Sequence, residues 1–148
     1  MKTNITMTFD RGMPTGTAQQ KGETIKYKIV NGRRVPYVHH FRTAKMNDER
    51  VQFILGLSPY KPKEPSDKPI RLTINLYFDV KNKKLWGQYK TTRPDCDNYV
   101  KELTDVMTQL KFWHDDAQVV ELKVSKRYAD AAWISITVEE LKGGLNDE

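Results

Sequence analysis

Hydrophobic positions recur with two rhythms along this chain, and the switches between them mark its elements. Ile70, Leu72, Ile74, Leu76, Phe78 and Val80 alternate with Arg71, Thr73, Asn75, Tyr77 and Asp79. A period of two sends successive side chains to opposite faces, so this run predicts a strand that is apolar on one side. Ile5, Met7 and Phe9 predict an earlier strand over residues 4–9, and residues 85–90 a return strand after the KNKK turn. Near the end, Val120, Leu122 and Val124 alternate with polar residues, as do Ile134, Ile136 and Val138. These two runs predict a hairpin turning near Asp130. Two further β-prone runs flank Asn31-Gly32. Asn-Gly suits a type I′ turn, which needs positive φ at both central residues.

The other rhythm is helical. Tyr99, Leu103, Val106, Met107 and Leu110 fall on one face, with Asp97 and Lys101 opposite at i,i+4. Pro94 keeps Arg93 out of that helix, and either Asp97 or Asn98 is a candidate cap. A second helix is predicted over residues 43–57, with Met46, Val51, Ile54 and Leu55 as its stripe and Lys45, Asp48, Glu49 and Arg50 outside. "SPYKPKEPSDKP" is too rich in proline for either element and reads as a connection; "DRGMPTGTAQQKGE" reads as a loop. The pattern therefore predicts an α+β fold: one domain over residues 1–148, a mixed β-sheet with two main helices packed on one face, and a flexible tail over 142–148.

Composition narrows the class. The chain has 148 residues, 38% of them hydrophobic and 30% charged, as a folded globular domain requires. Lys and Arg number 25 against 19 Asp and Glu, a net charge of +6 that is compatible with a polyanionic partner. The lone Cys96 excludes an internal disulfide and a zinc finger and points to a reducing, cytoplasmic setting. No apolar run reaches the ~20 residues of a membrane span, and no membrane partner is expected.

The candidate chemistry lies in "TTRPDCDNYVKEL" and "WHDDAQV". Asp95, Asp97, Asp115 and Asp116 would repel one another unless a cation neutralises them. Mg²⁺ suits such a set, being hard and oxygen-seeking, and Lys101 could offset charge on a phosphate. The plainer alternative makes Asp97 a cap paired with Lys101, and Asp115-Asp116 a polar turn. An EF-hand is excluded, because its sixth and twelfth loop positions would be Val100 and Val106. Cys96 reads as a small apolar filler, His114 as a turn residue and His39-His40 as surface.

"RPDCDNYVKELTDVMTQLKFWHDDAQVVELKVSKRY", residues 93–128, resembles the signature of the RusA family of Holliday-junction resolvases, or crossover junction endodeoxyribonucleases: R-x-D-x-D-N-x-x-K, a short helix, then W-x-D-D-x-Q-V. "MPTGTAQQKG" and "KIVNGRRVPYV" resemble phage- and prophage-type members more loosely. The resemblance implies a Mg²⁺-dependent endodeoxyribonuclease, with Mn²⁺ as a substitute, acting as a homodimer. Its implied substrate is branched DNA, a four-way junction resolved by paired symmetric nicks in recombination and repair. Position by position, Asp95, Asp97 and Asp116 match the family's metal-binding catalytic acids and Lys101 its essential lysine. Asp115 matches the first of the adjacent acidic pair, and Asn98 is a supporting residue. Candidate DNA contacts are Arg93, Lys123, Lys126 and Arg127, with Arg33, Arg34 and Lys21 further upstream; Lys123 shares a strand face with Arg127, opposite Lys126. Rival readings are a non-catalytic DNA-binding module and a general nuclease of flaps and branched DNA. The chain departs from the pattern at Cys96, between the aspartates, and in its proline-rich connection (61–69) and basic hairpin (25–37).

Overall fold

The computed structural model describes residues 1–14, 22–41 and 44–143. Lys21, most of the loop expected after residue 9, the side chains of Lys45 and Met46, and residues 144–148 of the expected tail lie outside the described residues.

Among the described residues, six strands and two α-helices follow one another: β1 (Lys2–Thr8), β2 (Gly22–Val30), β3 (Arg33–Phe41), α1 (Ala44–Leu57), β4 (Ile70–Asp79), α2 (Cys96–Gln109), β5 (Val119–Ala129) and β6 (Trp133–Glu140). Four strands make one mixed sheet in the order β1-β6-β4-β5, parallel between β4 and β5 and antiparallel elsewhere. The fold is a mixed α+β single domain, as expected. Parallel neighbours need a crossover, and the β4–β5 crossover carries α2. The acidic segments at both ends of α2 are thus parts of one β-α-β unit.

β4 is the centre. Ile70, Leu72, Ile74 and Leu76 are completely buried, with Ile5 and Met7 of β1 and Ile134 and Ile136 of β6 beside them. Phe53 and Leu57 from α1 and Tyr99, Leu103, Val106 and Met107 from α2 join the same core. Edge-to-face rings link the elements: Phe53 lies 6.4 Å from Phe9 and 5.7 Å from Tyr99. α1 also comes close to β1 at Gly56, where a Cβ would fall 2.6 Å from the Met7 sulfur. The Asn31-Gly32 turn forms as expected, with φ of 50° and 75°, and joins β2 and β3 into a separate two-stranded ribbon.

Three expectations are corrected. The runs at 119–129 and 133–140 are consecutive but do not pair; β4 lies between them, with Leu76 opposite Ile134 on one side and Lys126 on the other. Alternation says which way side chains face, not which strand lies alongside. Residues 85–90 do not return along β4 either. Gly87 N–H donates to the Tyr128 carbonyl at 2.9 Å and Lys90 N–H to that of Lys126 at 3.0 Å, along the outer edge of β5. That placement occupies polar groups which an edge strand would otherwise leave bare. Finally, α1 has the expected bounds but another phase. It buries Glu49, Phe53 and Leu57, while Val51 and Leu55 are exposed. The large Phe53 ring and the close approach at Gly56 set the phase, and Arg50 reaches the buried Glu102 carboxylate at 3.4 Å.

Candidate functional site

α2 begins directly after Pro94, and its first turn is less conventional than either predicted cap. The cap position belongs to Asp95, in extended conformation (φ −71°, ψ 142°), yet its carboxylate caps no backbone N–H. It instead accepts from the Asn98 amide at 3.4 Å. Asp97 lies one turn-position inside the helix, exposed. The unpaired N–H groups and the positive end of the helix dipole favour negative charge here. Lys101 is exposed one turn along, but no ion pair joins it to Asp97 among the described residues. The structural duties that the plainer reading gave Asp97, a cap and a salt bridge, are both absent.

The loop before Asp95 is tied down from below. The Lys126 ammonium, half-buried on β5, donates to the carbonyls of Thr92 at 2.6 Å and Pro94 at 2.7 Å. Lys90 donates to the Thr92 hydroxyl at 2.6 Å while lying over the Phe78 and Tyr128 rings. Two of the three Lys126 donors are therefore committed to backbone. Lys126, expected as a DNA contact, holds the loop that leads into Asp95 in this structure.

The second acidic segment is built tightly. Buried Trp113 donates to the Thr108 hydroxyl at 2.8 Å, fastening the chain to the end of α2. A single helical turn, Asp116–Gln118, follows. Asp115 accepts from Ala117 N–H at 2.9 Å, and the Gln118 side-chain oxygen accepts from the N–H groups of His114 and Asp115 at 2.9 and 3.0 Å. This is a reciprocal capping box. The Gln118 amide then donates to the carbonyls of Ser66 and Lys68, pinning the turn to the proline-rich connection.

Electrostatics divides the neighbours. The Ala117 N–H, then a hydrogen bond with Asp116, holds Asp115 below the usual carboxylate range. Asp116 is pushed up, first by that same hydrogen bond, then by partial desolvation and by repulsion from Asp115 and Asp105. Asp105, half-buried on α2, was not among the expected acids. The available signal was its spacing: with Asp97 and Lys101 it makes an i, i+4, i+8 row. Eight residues rise about 12 Å along a helix. Asp116 is thus coupled to the far half of α2, away from Asp95 and Asp97. Among the described residues, no three His, Cys, Asp or Glu side chains are grouped to hold one metal ion. The exposed carboxylates supply the hard oxygen donors that Mg²⁺ prefers, but as two separate pairs.

The remaining basic candidates also differ. Lys123 and Arg93 are exposed. Arg127 is half-buried, donating to the Tyr89 hydroxyl at 2.9 Å with its guanidinium 4.6 Å from that ring. Arg33 and Arg34 lie at the exposed tip of the ribbon. No helix among the described residues is long and apolar enough to cross a membrane.

A small mixed α+β domain, with acids at both ends of a crossover helix and a basic surplus around them, defines a narrow class. The chain belongs to the RusA endodeoxyribonuclease family, whose profile matches residues 12–139. It is 35% identical over 143 residues to the crossover junction endodeoxyribonuclease rusA of Lactococcus phage r1t, covering 95% of this chain and 100% of the phage protein. It is also 29% identical over 141 residues to the uncharacterized protein YqaN of Bacillus subtilis (strain 168), covering 88% of this chain and 92% of that one.

Proposed function

We propose that this chain is a Mg²⁺-dependent endonuclease that resolves four-way DNA junctions by paired nicks, working in the cytoplasm as a homodimer. The observation that carries the reading is the state of Asp95 and Asp97: two carboxylates at the positive end of α2, neither employed in capping the helix. A charge pair with no structural duty is available for a cation and a phosphate. Family membership and the name of the phage relative supply the substrate class.

In this reading Asp95 and Asp97 hold the metal, Asp116, which lies apart from them in one protomer, is the third metal-binding acid of the family pattern, and Mn²⁺ can replace Mg²⁺. Bound there, the ion would polarise the scissile phosphate and acidify a water. Asn98 orients Asp95. Asp115 builds the turn that presents Asp116, whose repulsion from Asp115 and Asp105 a cation would relieve. Lys101, unpaired with Asp97, places its ammonium beside the phosphate or the leaving oxygen. Both helices lie over the apolar side of the sheet, a placement supported by the alternating burial of β1, β4 and β6. A two-fold dimer presents two identical sites to two strands, matching two symmetric cuts. Phosphate contacts from Lys123, Arg93, Arg33 and Arg34 make binding salt-sensitive.

Purified protein incubated with a synthetic four-way junction is expected to nick it at paired positions only when Mg²⁺ or Mn²⁺ is present. Binding without cutting, indifferent to metal and to the aspartates, would mean a non-catalytic module. Equal cutting of flaps and junctions would mean a general branched-DNA nuclease.

A further inference from the structure

The β2–β3 ribbon presents apolar surface that the proposed site does not use. It forms its own sheet, apart from the four central strands, and none of its apolar residues whose side chains are described joins the core. Its register sorts side chains into two unlike faces. Ile25 pairs with Val38, Tyr27 with Pro36 and Ile29 with Arg34 on one; Lys26 pairs with Tyr37, Lys28 with Val35 and Val30 with Arg33 on the other. The first face is apolar and wet: Ile25 is 64% exposed, Ile29 71%, Val38 55% and Tyr27 53%. The Arg34 guanidinium lies 4.0 Å from the Tyr27 ring centre, near the tip. A two-stranded ribbon is marginal alone, and a contiguous apolar patch of this kind marks a contact surface.

Charge selects the occupant. Between residues 24 and 39 there are four cations, Lys26, Lys28, Arg33 and Arg34, and no carboxylate. A second ribbon laid on the apolar face would set Arg34 against its counterpart and leave Lys26, Lys28 and Arg33, on the opposite face, unanswered. A polyanion would gather them. Phosphates alone, however, leave the apolar face unserved. Within a continuous duplex the base faces are covered by stacking; where helices diverge they are not. β-Ribbons enter DNA grooves, and apolar side chains wedge at disrupted base steps.

We propose that the β2–β3 ribbon is the branch-point reader of this chain. Its Ile25, Tyr27 and Ile29 face covers bases exposed where the arms of a branched DNA part, while Lys26, Lys28 and Arg33 meet the flanking phosphates. This rests on the junction-nuclease reading and adds the element that distinguishes a junction from a linear duplex.

The test uses the full chain without divalent metal, a four-way junction with 2-aminopurine at its centre, and a linear duplex of the same arm sequence. Wild type is expected to quench the 2-aminopurine fluorescence on binding, as Tyr27 stacks on the exposed base. Tyr27→Ser/Ile29→Ser is expected to lose that signal and to bind the junction about tenfold more weakly, the scale of one lost base–aromatic stack. Its duplex affinity should hold within about twofold, since its phosphate contacts are intact. Tyr27→Phe should keep the signal. Lys26→Ala/Lys28→Ala should weaken both DNAs alike and flatten the salt dependence by about two counterions. Circular dichroism and light scattering accompany each variant. A folded serine variant that binds the junction like wild type overturns the inference, as does equal loss on both DNAs. So does conversion of a wild-type dimer to a monomer, which would make the ribbon a subunit contact. If wild type cuts junctions while the serine variant still binds and cuts them equally, only the ribbon assignment falls. If wild type neither binds nor cuts a junction, the nuclease reading falls first.

Discussion

The two acidic pairs of this protein are built in opposite ways. Asp115 and Asp116 lie in a turn in which hydrogen bonding is dense: a capping box, two amide bonds to the proline-rich connection and a tryptophan anchored on α2. Asp95 and Asp97 stand at a helix start with one long contact, from Asn98, and no cap. Both aspartates are exposed and met by water, so what is informative is two like charges close together at a helix start with a single weak protein contact between them. The first pair explains its own presence through folding. The second does not, and it invites a ligand. Within the well-bonded pair the same division recurs, since Asp115 closes the turn and Asp116 is left with the repulsion.

If that contrast is right, Asp97→Asn separates activity from stability more than any other change. Junction cleavage should fall by on the order of 10³-fold, the scale seen when a group stabilising transition-state charge is removed. Thermal stability should move by no more than about 0.5 kcal/mol, as for surface positions without structural duty. Initial-rate cleavage and thermal melts on the same preparation decide it. A marked drop in stability would return Asp97 to a structural role.

At the other pair the prediction inverts. Gln118→Ala removes an acceptor for two N–H groups and a donor to two carbonyls. With these mostly exposed bonds at the low end of roughly 0.5–1.5 kcal/mol net each, the four together predict a loss of about 2 kcal/mol in denaturant unfolding. Cleavage at low temperature, where the variant is folded, should survive in reduced form. A stable but dead variant would break the comparison, because Gln118 would then be acting in the chemistry.

Much of this division could be read from the residues, and the gaps have physical causes. The strict alternation at 70–80 and the stripe from Tyr99 to Leu110 were legible because each satisfies a single period over a long run. The Asn31-Gly32 turn was legible because few other dipeptides tolerate its backbone. The neighbours of β4 were not, since alternation carries no information about pairing; β6 and β5 lie on either side of it though adjacent in sequence. The phase of α1 was obscured because Val51 and Leu55 compete with Phe53 and Leu57 for the inward face, and contacts from β1 and α2 decide between them. The acids of the motif were legible by type and spacing. Their grouping was not: Asp115 and Asp116 lie apart from Asp95 and Asp97, and the repulsion Asp116 feels comes from Asp115 and from Asp105, an acid outside the motif. The loop-holding bonds of Lys126 were not legible, because a long side chain beside an acidic loop looks the same in sequence whether it meets phosphate or a carbonyl.

Lys126 offers the next way to sharpen the comparison, because it connects the bare pair to the sheet. Lys126→Met keeps the aliphatic stem and removes the donors to Thr92 and Pro94. Preorganisation of Asp95 should suffer, lowering kcat by about tenfold, with junction affinity within about twofold if Lys126 touches no phosphate. A large loss of affinity with a reduced salt slope, and little change in kcat, would restore it as a DNA contact.

The smallest effect belongs to Asn98. Its amide reaches Asp95 at 3.4 Å across a solvent-accessible gap, near the limit of a hydrogen bond. Outer partners of metal ligands typically matter 10–100-fold, but they do so through short, shielded bonds; here Asn98→Ala should cost about threefold in cleavage. Raising the Mg²⁺ concentration should recover most of it, since a loosely oriented Asp95 lowers metal affinity before it alters the reaction. A loss of more than about 100-fold that added metal does not restore would place Asn98 nearer the phosphate than its contact with Asp95 implies. The bare pair would then have a third working member, and the contrast with the bonded turn would widen.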